Sequence, residues 1–352
     1  MADVDDDGDG DLKKLIKLTL TLAASMSYAR FISSTTSPGF LRLSLLLPVL
    51  SLLPLLPLPL SSVHLRGISA FFLSWLAIFK LLLLSFSLPP LHPSLPLPIF
   101  IATASLPVKL RSSTSNTSSP PSSALLSAAK LLLLRLLISL YNHKHHFHPL
   151  LLLSLYCFHI YLALDLVLST ARFLAGALLK LDLEPQFNAP YFSTSLRDFW
   201  GRRWNLMVTG ILRPTVYHPV RARFGQLAGV FSVFLVSGVM HELMFYYLTL
   251  APPTGEVTCF FVLHGVCTAA EGIVARRLRD SGWRGVHPAL APPLVLGFVA
   301  VTGFWLFFPP IVRTGTDEKT LEECAAMAAF VESGCRAFVD RVGFVLNRVW
   351  TR

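Results

Sequence analysis

Several apolar runs of about 20 residues constrain this chain more than any other feature. The stretches 68–88, 149–168, 226–250, 257–275 and 290–312 contain few charges. A helix of about 20 apolar residues is long enough to cross the roughly 30 Å hydrocarbon core of a bilayer. Composition agrees, because 53% of the 352 residues are hydrophobic and only 14% are charged, whereas an ordinary globular domain has about a quarter charged residues. We therefore predict an all-α, polytopic transmembrane helix bundle of about eight spans, with additional interfacial helices.

The remaining stretches are less regular. Lysines open the apolar run 12–32, and prolines interrupt 40–60 and 91–108, so we expect a kinked or broken helix and a short or re-entrant segment there. A further span is expected at 124–141, and a short amphipathic helix at 174–183. We predict a single membrane-embedded domain over 1–352. Its parts are an acidic, disordered amino terminus (1–11), a Ser/Pro-rich loop (109–123), a cytosolic loop (184–225), helices around a buried histidine (226–312) and an amphipathic tail (327–352).

The formal charge of +10 lies largely in loops between the apolar runs. Arginines are frequent before residue 226 and again at 276–284, whereas 251–257 contains neither lysine nor arginine. The positive-inside rule predicts that the loops around Trp200 and Arg277 face the cytosol. No basic soluble module interleaved with aromatic residues is present, so we expect membrane lipid as a partner and no nucleic acid.

Metal and disulfide chemistry find little support in the sequence. The five cysteines contain no CxxC pair, which argues against a disulfide framework and a zinc site. The histidine-rich stretch 142–148 is interpreted as an interfacial loop, because no carboxylate or cysteine completes a ligand set. We expect no metal.

One ionisable pair, His241 and Glu242, interrupts the apolar run 226–250. An ionisable side chain near the bilayer centre costs roughly 2.5–3.5 kcal/mol on insertion scales, so such a residue is a functional candidate by default. A neutral imidazole there is a suitable general base near neutral pH. The alternative is a core histidine that is satisfied by a hydrogen bond to a neighbouring helix. No GxSxG, Walker or HExxH motif is present, so serine-hydrolase, P-loop and zinc-protease chemistry lack support.

Two motifs together resemble a known family. The sequence Asp-Phe-Trp-Gly-Arg-Arg-Trp-Asn at 198–205, followed by His-Glu-Leu-Met-Phe-Tyr-Tyr at 241–247, is similar to the plant wax synthase group of the membrane-bound O-acyltransferase superfamily. The stretches 71–80 and 264–271 also resemble that group, and the similarity extends from about residue 69 to 308. The Pro-rich and Ser-rich regions before residue 124 depart from the pattern, which affects the expected boundaries and not the chemistry.

The resemblance implies a bundle around a tunnel through the membrane of the endoplasmic reticulum. It implies transfer of a fatty acyl group from acyl-CoA to a long-chain alcohol, which yields a wax ester, with no cofactor besides the CoA of the donor. His241 matches the general base and Asn205 the second catalytic residue of the family, where Asn205 orients the base or the thioester oxygen. The expected supporting residues, with the arginines meeting the CoA phosphates, are Arg197, Asp198, Trp200, Arg202, Arg203, Trp204 and Glu242.

Simpler roles remain open for several of these residues. Trp200 and Trp204 could anchor an interfacial helix, and Arg202 and Arg203 could follow the positive-inside bias alone. For Glu242 we favour a hydrogen bond to another helix, because it points about 100° away from His241 around the helix.

His264 and Glu271 lie seven residues apart on one helical face, which favours contacts between elements over catalysis. The alternative functions are transfer to a sterol or diacylglycerol and, from another class, proton-coupled transport. The sequence shows no internal repeat of the kind that many transporters have.

Overall fold

The computed structural model describes residues 6–108, 124–180, 183–281 and 286–350. The predicted Ser/Pro-rich loop at 109–123 lies outside the described residues. The principal helices are α1 (Asp6–Thr35), α2 (Phe40–Leu52), α3 (Val63–Ser85), α4 (Leu97–Ser105), α5 (Ala124–Leu140), α6 (Pro149–Leu179), α7 (Leu206–Leu212), α8 (His218–Thr249), α9 (Glu256–Asp280), α10 (Ala291–Arg313) and α11 (Thr316–Trp350).

Seven helical segments among the described residues are long and apolar enough to cross a membrane. They are Gly10–Thr35, Val63–Ser85, Leu125–His146, Pro149–Leu179, Leu206–Thr249, Glu256–Leu278 and Ala291–Arg313. This confirms the predicted all-α polytopic bundle. Helix α2 has only 13 residues, which is too short to span a bilayer. Four prolines between residues 48 and 59 account for its early end, since each removes a backbone donor.

Several boundaries differ from the sequence prediction. Helix α1 begins at Asp6, inside the stretch that we expected to be disordered. Its Asp11 carboxylate accepts hydrogen bonds from the backbone N–H groups of Ser61 and Ser62, which holds this turn in place. Helix α6 continues through the predicted break after residue 168, because the polar residues there do not interrupt helical hydrogen bonding. Helix α11 starts at Thr316, well before the predicted residue 327.

Another difference concerns the segment 184–225, which we predicted as a cytosolic loop with helices lying at the interface. It is helical from Leu206 onwards, and α7 continues through a π-helical turn at Arg213–Tyr217 into α8. The polar residues between Leu206 and Gly225 are therefore part of this continuous helical segment, which lies at one end of the bundle. A kink at Gly225 (φ 87°) marks the point where the apolar run begins. A φ of this value is readily adopted only by glycine.

Helices α8 and α9 pack closely against each other, and two glycines permit their approach. A Cβ added at Gly238 would lie 2.9 Å from Cα of Thr258, and one at Gly265 would lie 2.8 Å from Cβ of Phe234. Small residues allow helices in a membrane to pack backbone against backbone. Glu242 also joins the pair, because its Oε1 accepts a hydrogen bond of 3.0 Å from the N–H of Thr258. That N–H belongs to the first turn of α9 and has no partner within the helix, so Glu242 makes the interhelical hydrogen bond that we favoured for it.

The two ends of the bundle have different characters. At one end, Glu271 of α9 accepts backbone hydrogen bonds from the loop that carries Trp200, so this loop and Arg276 lie at the same end. We call it the arginine-rich end. At the opposite end, the buried Arg66 of α3 donates to the backbone oxygens of Tyr247 and Leu248 at the end of α8. A cation is favourable there because the last carbonyl groups of a helix have no partners within it.

Candidate active site

His241 lies in the second half of α8 among aromatic side chains. Its ring stacks on Phe261 of α9 with centroids 4.1 Å apart, and it meets Trp75 of α3 edge to face at 4.8 Å. Its Nδ1 is 2.7 Å from the backbone oxygen of Ser237. A carbonyl oxygen can only accept, so Nδ1 carries the proton in the neutral ring, and Nε2 is left as the acceptor. The imidazole is therefore positioned by its own helix in the tautomer that a general base at Nε2 requires.

Asn205 occupies the junction between the Trp200 loop and α7. Its backbone is left-handed (φ 40°, ψ 67°), a conformation that asparagine tolerates better than most residues. Its Oδ1 accepts a hydrogen bond of 3.3 Å from the N–H of Val208 and so caps α7. The cap uses the amide oxygen, which leaves the two Nδ2 hydrogens for another partner.

A cavity of about 420 Å³ joins these two residues. Asn205 and His241 both line it, together with Trp200, Trp204 and Trp75. Three arginines at the arginine-rich end, Arg197, Arg213 and Arg276, also line it. All three are exposed. We call this space the arginine-rimmed cavity.

A second cavity of about 330 Å³ reaches His241 from the other side. Its walls are mostly aliphatic and aromatic, with Phe71, Phe72, Phe245, Phe307 and Phe308 among them. It extends towards the end of the bundle opposite to the arginines, where Val63, Leu248 and Ile311 line it. We call it the apolar cavity. His241 belongs to the lining of both cavities and thus stands where they meet.

The predicted motif residues take distinct positions around the arginine-rimmed cavity. Trp200 and Trp204 line it, and Trp204 stacks on Phe199 with centroids 5.3 Å apart. The guanidinium of Arg203 is bound to Asp198 (Nε to Oδ2, 2.6 Å), and its Nη1 donates to the backbone oxygens of Asn188 and Ala189.

These contacts account for Arg203 and Asp198 as braces of the loop. Arg202 is exposed and is not among the residues that line the cavity. Of the three arginines expected to contact CoA, only Arg197 faces this space.

Helix α9 holds the Trp200 loop through two side chains. The indole N–H of Trp200 donates to Nδ1 of His264 (3.1 Å), so Nε2 of His264 carries the proton and donates to Oγ1 of Thr302 (2.9 Å). Glu271, two turns further along, accepts from the N–H groups of Leu196 (3.1 Å) and Arg197 (3.2 Å). His264 and Glu271 thus make contacts between elements, as their spacing favoured, and these contacts position the loop.

Sequence reasoning missed two of the three arginines at the cavity rim. Arg213 follows α7 directly and donates to the backbone oxygen of Gly201 at 2.9 Å. Arg276 served only as an orientation signal in the sequence, although its spacing from Thr268 and Gly272 on one face of α9 points to the same surface. This periodicity was the available signal.

Comparison with known proteins identifies the family. A model of the membrane bound O-acyl transferase family matches residues 183–263, which include both Asn205 and His241. The chain is 45% identical over 327 residues to probable long-chain-alcohol O-fatty-acyltransferase 1 of Arabidopsis thaliana, over 89% of this chain and 95% of the relative.

Two further relatives cover the chain equally well. Identity is 44% to the long-chain-alcohol O-fatty-acyltransferase of Simmondsia chinensis, over 92% of this chain and 96% of the relative. It is 40% to acyl-CoA–sterol O-acyltransferase 1 of Arabidopsis thaliana, over 91% and 96%. The chain therefore belongs to the membrane-bound O-acyltransferase family, in the group of the plant long-chain-alcohol O-fatty-acyltransferases.

Proposed function

We propose that this protein transfers a fatty acyl group from acyl-CoA to a long-chain alcohol and so produces a wax ester. The observation that carries the proposal is the position of His241, which lines both cavities. A base at this point meets two substrates that arrive from opposite sides. The relatives named for long-chain alcohols support this choice of acceptor.

The arginine-rimmed cavity suits the CoA part of the donor. Its rim offers Arg197, Arg213 and Arg276, and guanidinium groups bind phosphate in a bidentate manner. Arg203 is engaged by Asp198, so we do not assign it to CoA. The thioester would then lie deeper in this cavity, beside Asn205 and His241.

The apolar cavity suits the chain of the alcohol. Its walls offer hydrocarbon and aromatic surface, and its inner end is the His241 ring. A long-chain alcohol placed there directs its only polar group to the base and keeps its tail away from water.

In the proposed mechanism, Nε2 of His241 accepts the hydroxyl proton as the alcohol oxygen attacks the thioester carbonyl. The Nδ2 hydrogens of Asn205 stabilise the oxyanion that develops. When the carbon–sulfur bond breaks, CoA leaves as a thiolate and takes the proton from the imidazolium. Protons balance over the cycle, and the reaction needs neither a metal nor a cofactor beyond the CoA of the donor. We assign the enzyme to the endoplasmic reticulum membrane, with the arginine-rich end facing cytosolic acyl-CoA.

An acceptor panel tests this function. Membranes from a host that lacks neutral-lipid acyltransferases, expressing the protein, are given radiolabelled acyl-CoA with a fatty alcohol, a sterol or a diacylglycerol. We expect labelled wax ester with the alcohol. Label in sterol ester alone would favour the second candidate, sterol acylation, which one relative supports by name. Absence of ester with every acceptor, in membranes that contain the folded protein, would contradict acyl transfer and favour transport.

The arginine assignment leads to a separate prediction. Arg276→Ala should raise the KM for acyl-CoA about fivefold, because one exposed charged contact contributes about 1 kcal/mol at most. Arg202→Ala is the matched control, since Arg202 is also exposed but lies outside the cavity lining. Steady-state kinetics at varied acyl-CoA concentration measure both. An increase in KM for Arg202→Ala but not for Arg276→Ala would contradict the assignment.

A further inference from the structure

A cysteine lies between two imidazoles at the end of the apolar cavity that is remote from Asn205. Sγ of Cys324 is 3.4 Å from Nε2 of His64 and 3.9 Å from Nε2 of His159. Both histidines line the apolar cavity. Cys324 itself is only 5% exposed. Cys324 lies just behind the cavity lining: on α11 it follows Asp317 and Leu321, which do line the cavity, at the spacing of one helical face.

His64 is oriented by a carboxylate. Its Nδ1 is 2.7 Å from Oε2 of Glu323, and the same carboxylate accepts from the N–H of His64 (3.0 Å), the N–H of Val63 (2.7 Å) and the hydroxyl of Ser62 (2.8 Å). Nδ1 of His64 therefore donates, and Nε2 faces the sulfur. Cys324, His64 and Glu323 thus form a nucleophile, a base and a carboxylate that orients the base. This spatial arrangement activates cysteines in unrelated enzymes.

The second imidazole has an unsatisfied atom. His159 is 8% exposed, and its Nδ1 has no hydrogen-bond partner among the described residues. Buried polar atoms without a partner are rare, and each requires an explanation. His159 directs its other nitrogen towards the sulfur, so the thiol is flanked by two potential donors.

These contacts favour the thiolate. Burial raises the pKa of the Cys324 thiol, but hydrogen bonds from His159 and His64 outweigh burial and bring the pKa to about 7. Burial likewise raises the pKa of Glu323, and its hydrogen bonds from His64 and Val63 bring that pKa to about 2. Glu323 is therefore ionised at neutral pH, and its charge stabilises the imidazolium that forms when the Cys324 thiol passes its proton to His64. Among the four cysteines whose side chains the structure describes, only Cys324 is recorded with imidazole partners.

We propose that Cys324 is an activated thiol that takes small apolar electrophiles of the α,β-unsaturated carbonyl class, and that its alkylation closes the apolar cavity. The apolar walls select for uncharged reagents that dissolve in the membrane. In the reaction, the sulfur of the thiolate bonds to the β-carbon of the enal, and the electrons of the carbon–carbon double bond move to the carbonyl as an enolate. The α-carbon then takes the proton from the His64 imidazolium. The product is a thioether, and no oxidant or reductant is required.

Competitive labelling of the purified full-length protein tests the reactivity. The protein in detergent micelles is treated at neutral pH with limiting N-ethylmaleimide or trans-2-nonenal, and the modified peptides are quantified by mass spectrometry. We expect Cys324 to react at least about tenfold faster than Cys157 and Cys267, because thiolate is the reacting species. A sulfonated maleimide of the same reactivity should leave Cys324 unmodified. Equal rates at the three cysteines would overturn the proposal.

Two substitutions separate activation from simple access. His64→Gln and His159→Gln should each slow alkylation of Cys324 about fivefold, because each removes an imidazole that stabilises the thiolate and so lowers the thiolate fraction at neutral pH. Labelling of the exposed Cys259 should stay unchanged in both, and it serves as the internal control for folding. Wild-type labelling rates in both variants would contradict an imidazole-activated thiol.

The consequence for activity rests on the proposed acceptor site. Alkylation of Cys324 by trans-2-nonenal should abolish most ester formation from fatty alcohol, and Cys324→Ser should retain activity and resist the reagent. Full activity with Cys324 completely alkylated would overturn closure of the cavity. Because adducts are counted by mass, the labelling result stands or falls independently of which acceptor the enzyme uses.

Discussion

His241→Ala should reduce wax-ester formation by about 10²–10⁴-fold, the range typical for removal of a general base. The effect follows from geometry, because the ring offers Nε2 where the two cavities meet and no other imidazole among the described residues lines both. Binding of acyl-CoA should change little, since the arginines of the rim are untouched. Ester formation from radiolabelled acyl-CoA, normalised to folded protein, measures the loss.

Val239→Ala is the matched control, because Val239 lies on the same helix and is 55% exposed on the outer surface. His241→Gln adds a second test, since it restores side-chain volume beside Phe261 and Trp75 without an imidazole. Ester formation within a few-fold of wild type in either His241 variant would remove this residue from the chemistry. We expect both His241 variants to lose turnover and Val239→Ala to keep it.

Asn205→Asp should lower turnover by about 10²–10³-fold while the protein still folds. Aspartate retains the oxygen that caps α7 and tolerates the left-handed backbone at this position. It replaces the two Nδ2 donors with a second oxygen, so the developing oxyanion loses its partner and meets a negative charge. The measurement is kcat with a long-chain alcohol at saturating acyl-CoA.

Asn205→Ala is the informative comparison. It removes the cap as well, which costs about 1 kcal/mol, and places a Cβ without a compensating hydrogen bond on a left-handed backbone. We expect Asn205→Ala to lose both thermal stability and turnover, whereas Asn205→Asp loses turnover alone. Equal turnover of Asn205→Asp and wild type would show that Asn205 acts only as the N-terminal cap of α7.

Much of the fold can be predicted from the sequence because the hydropathy of a segment indicates directly whether it favours the bilayer interior over water. The spans predicted to start at residues 149, 257 and 290 begin within one residue of these positions in the structure. Interruptions were harder to predict. Prolines correctly indicated the early end of α2, but the polar residues at 169–172 did not end α6. A helix satisfies its own backbone in lipid or water, so a local change in polarity need not end it.

The residues of the candidate site were also predictable only in part. His241 is conspicuous in the sequence because an ionisable group in an apolar run has an energetic cost. From the angular position of Glu242 on the helix we predicted a hydrogen bond to another helix, and its contact with the N–H of Thr258 agrees with this. Contacts between residues that are far apart in the sequence produce no comparable sequence pattern. The ion pair between Arg203 and Asp198 and the bond from Trp200 to His264 depend on how the loop folds back on α9. Sequence alone could not separate the arginines that brace the loop from those that face the cavity.

The carbonyl of Ser237 that orients His241 is neutral, which distinguishes this histidine from one backed by an acidic side chain. Once the ring gains a proton, the resulting cation has only a dipole behind it, within walls of phenylalanine and tryptophan. Such an ion pair with the departing sulfur is short-lived, so proton uptake and proton return are coupled closely in time. The apolar walls on the acceptor side also offer a water molecule few hydrogen-bond partners beside Nε2, so in the proposed reaction a long-chain alcohol has the advantage over water as the nucleophile.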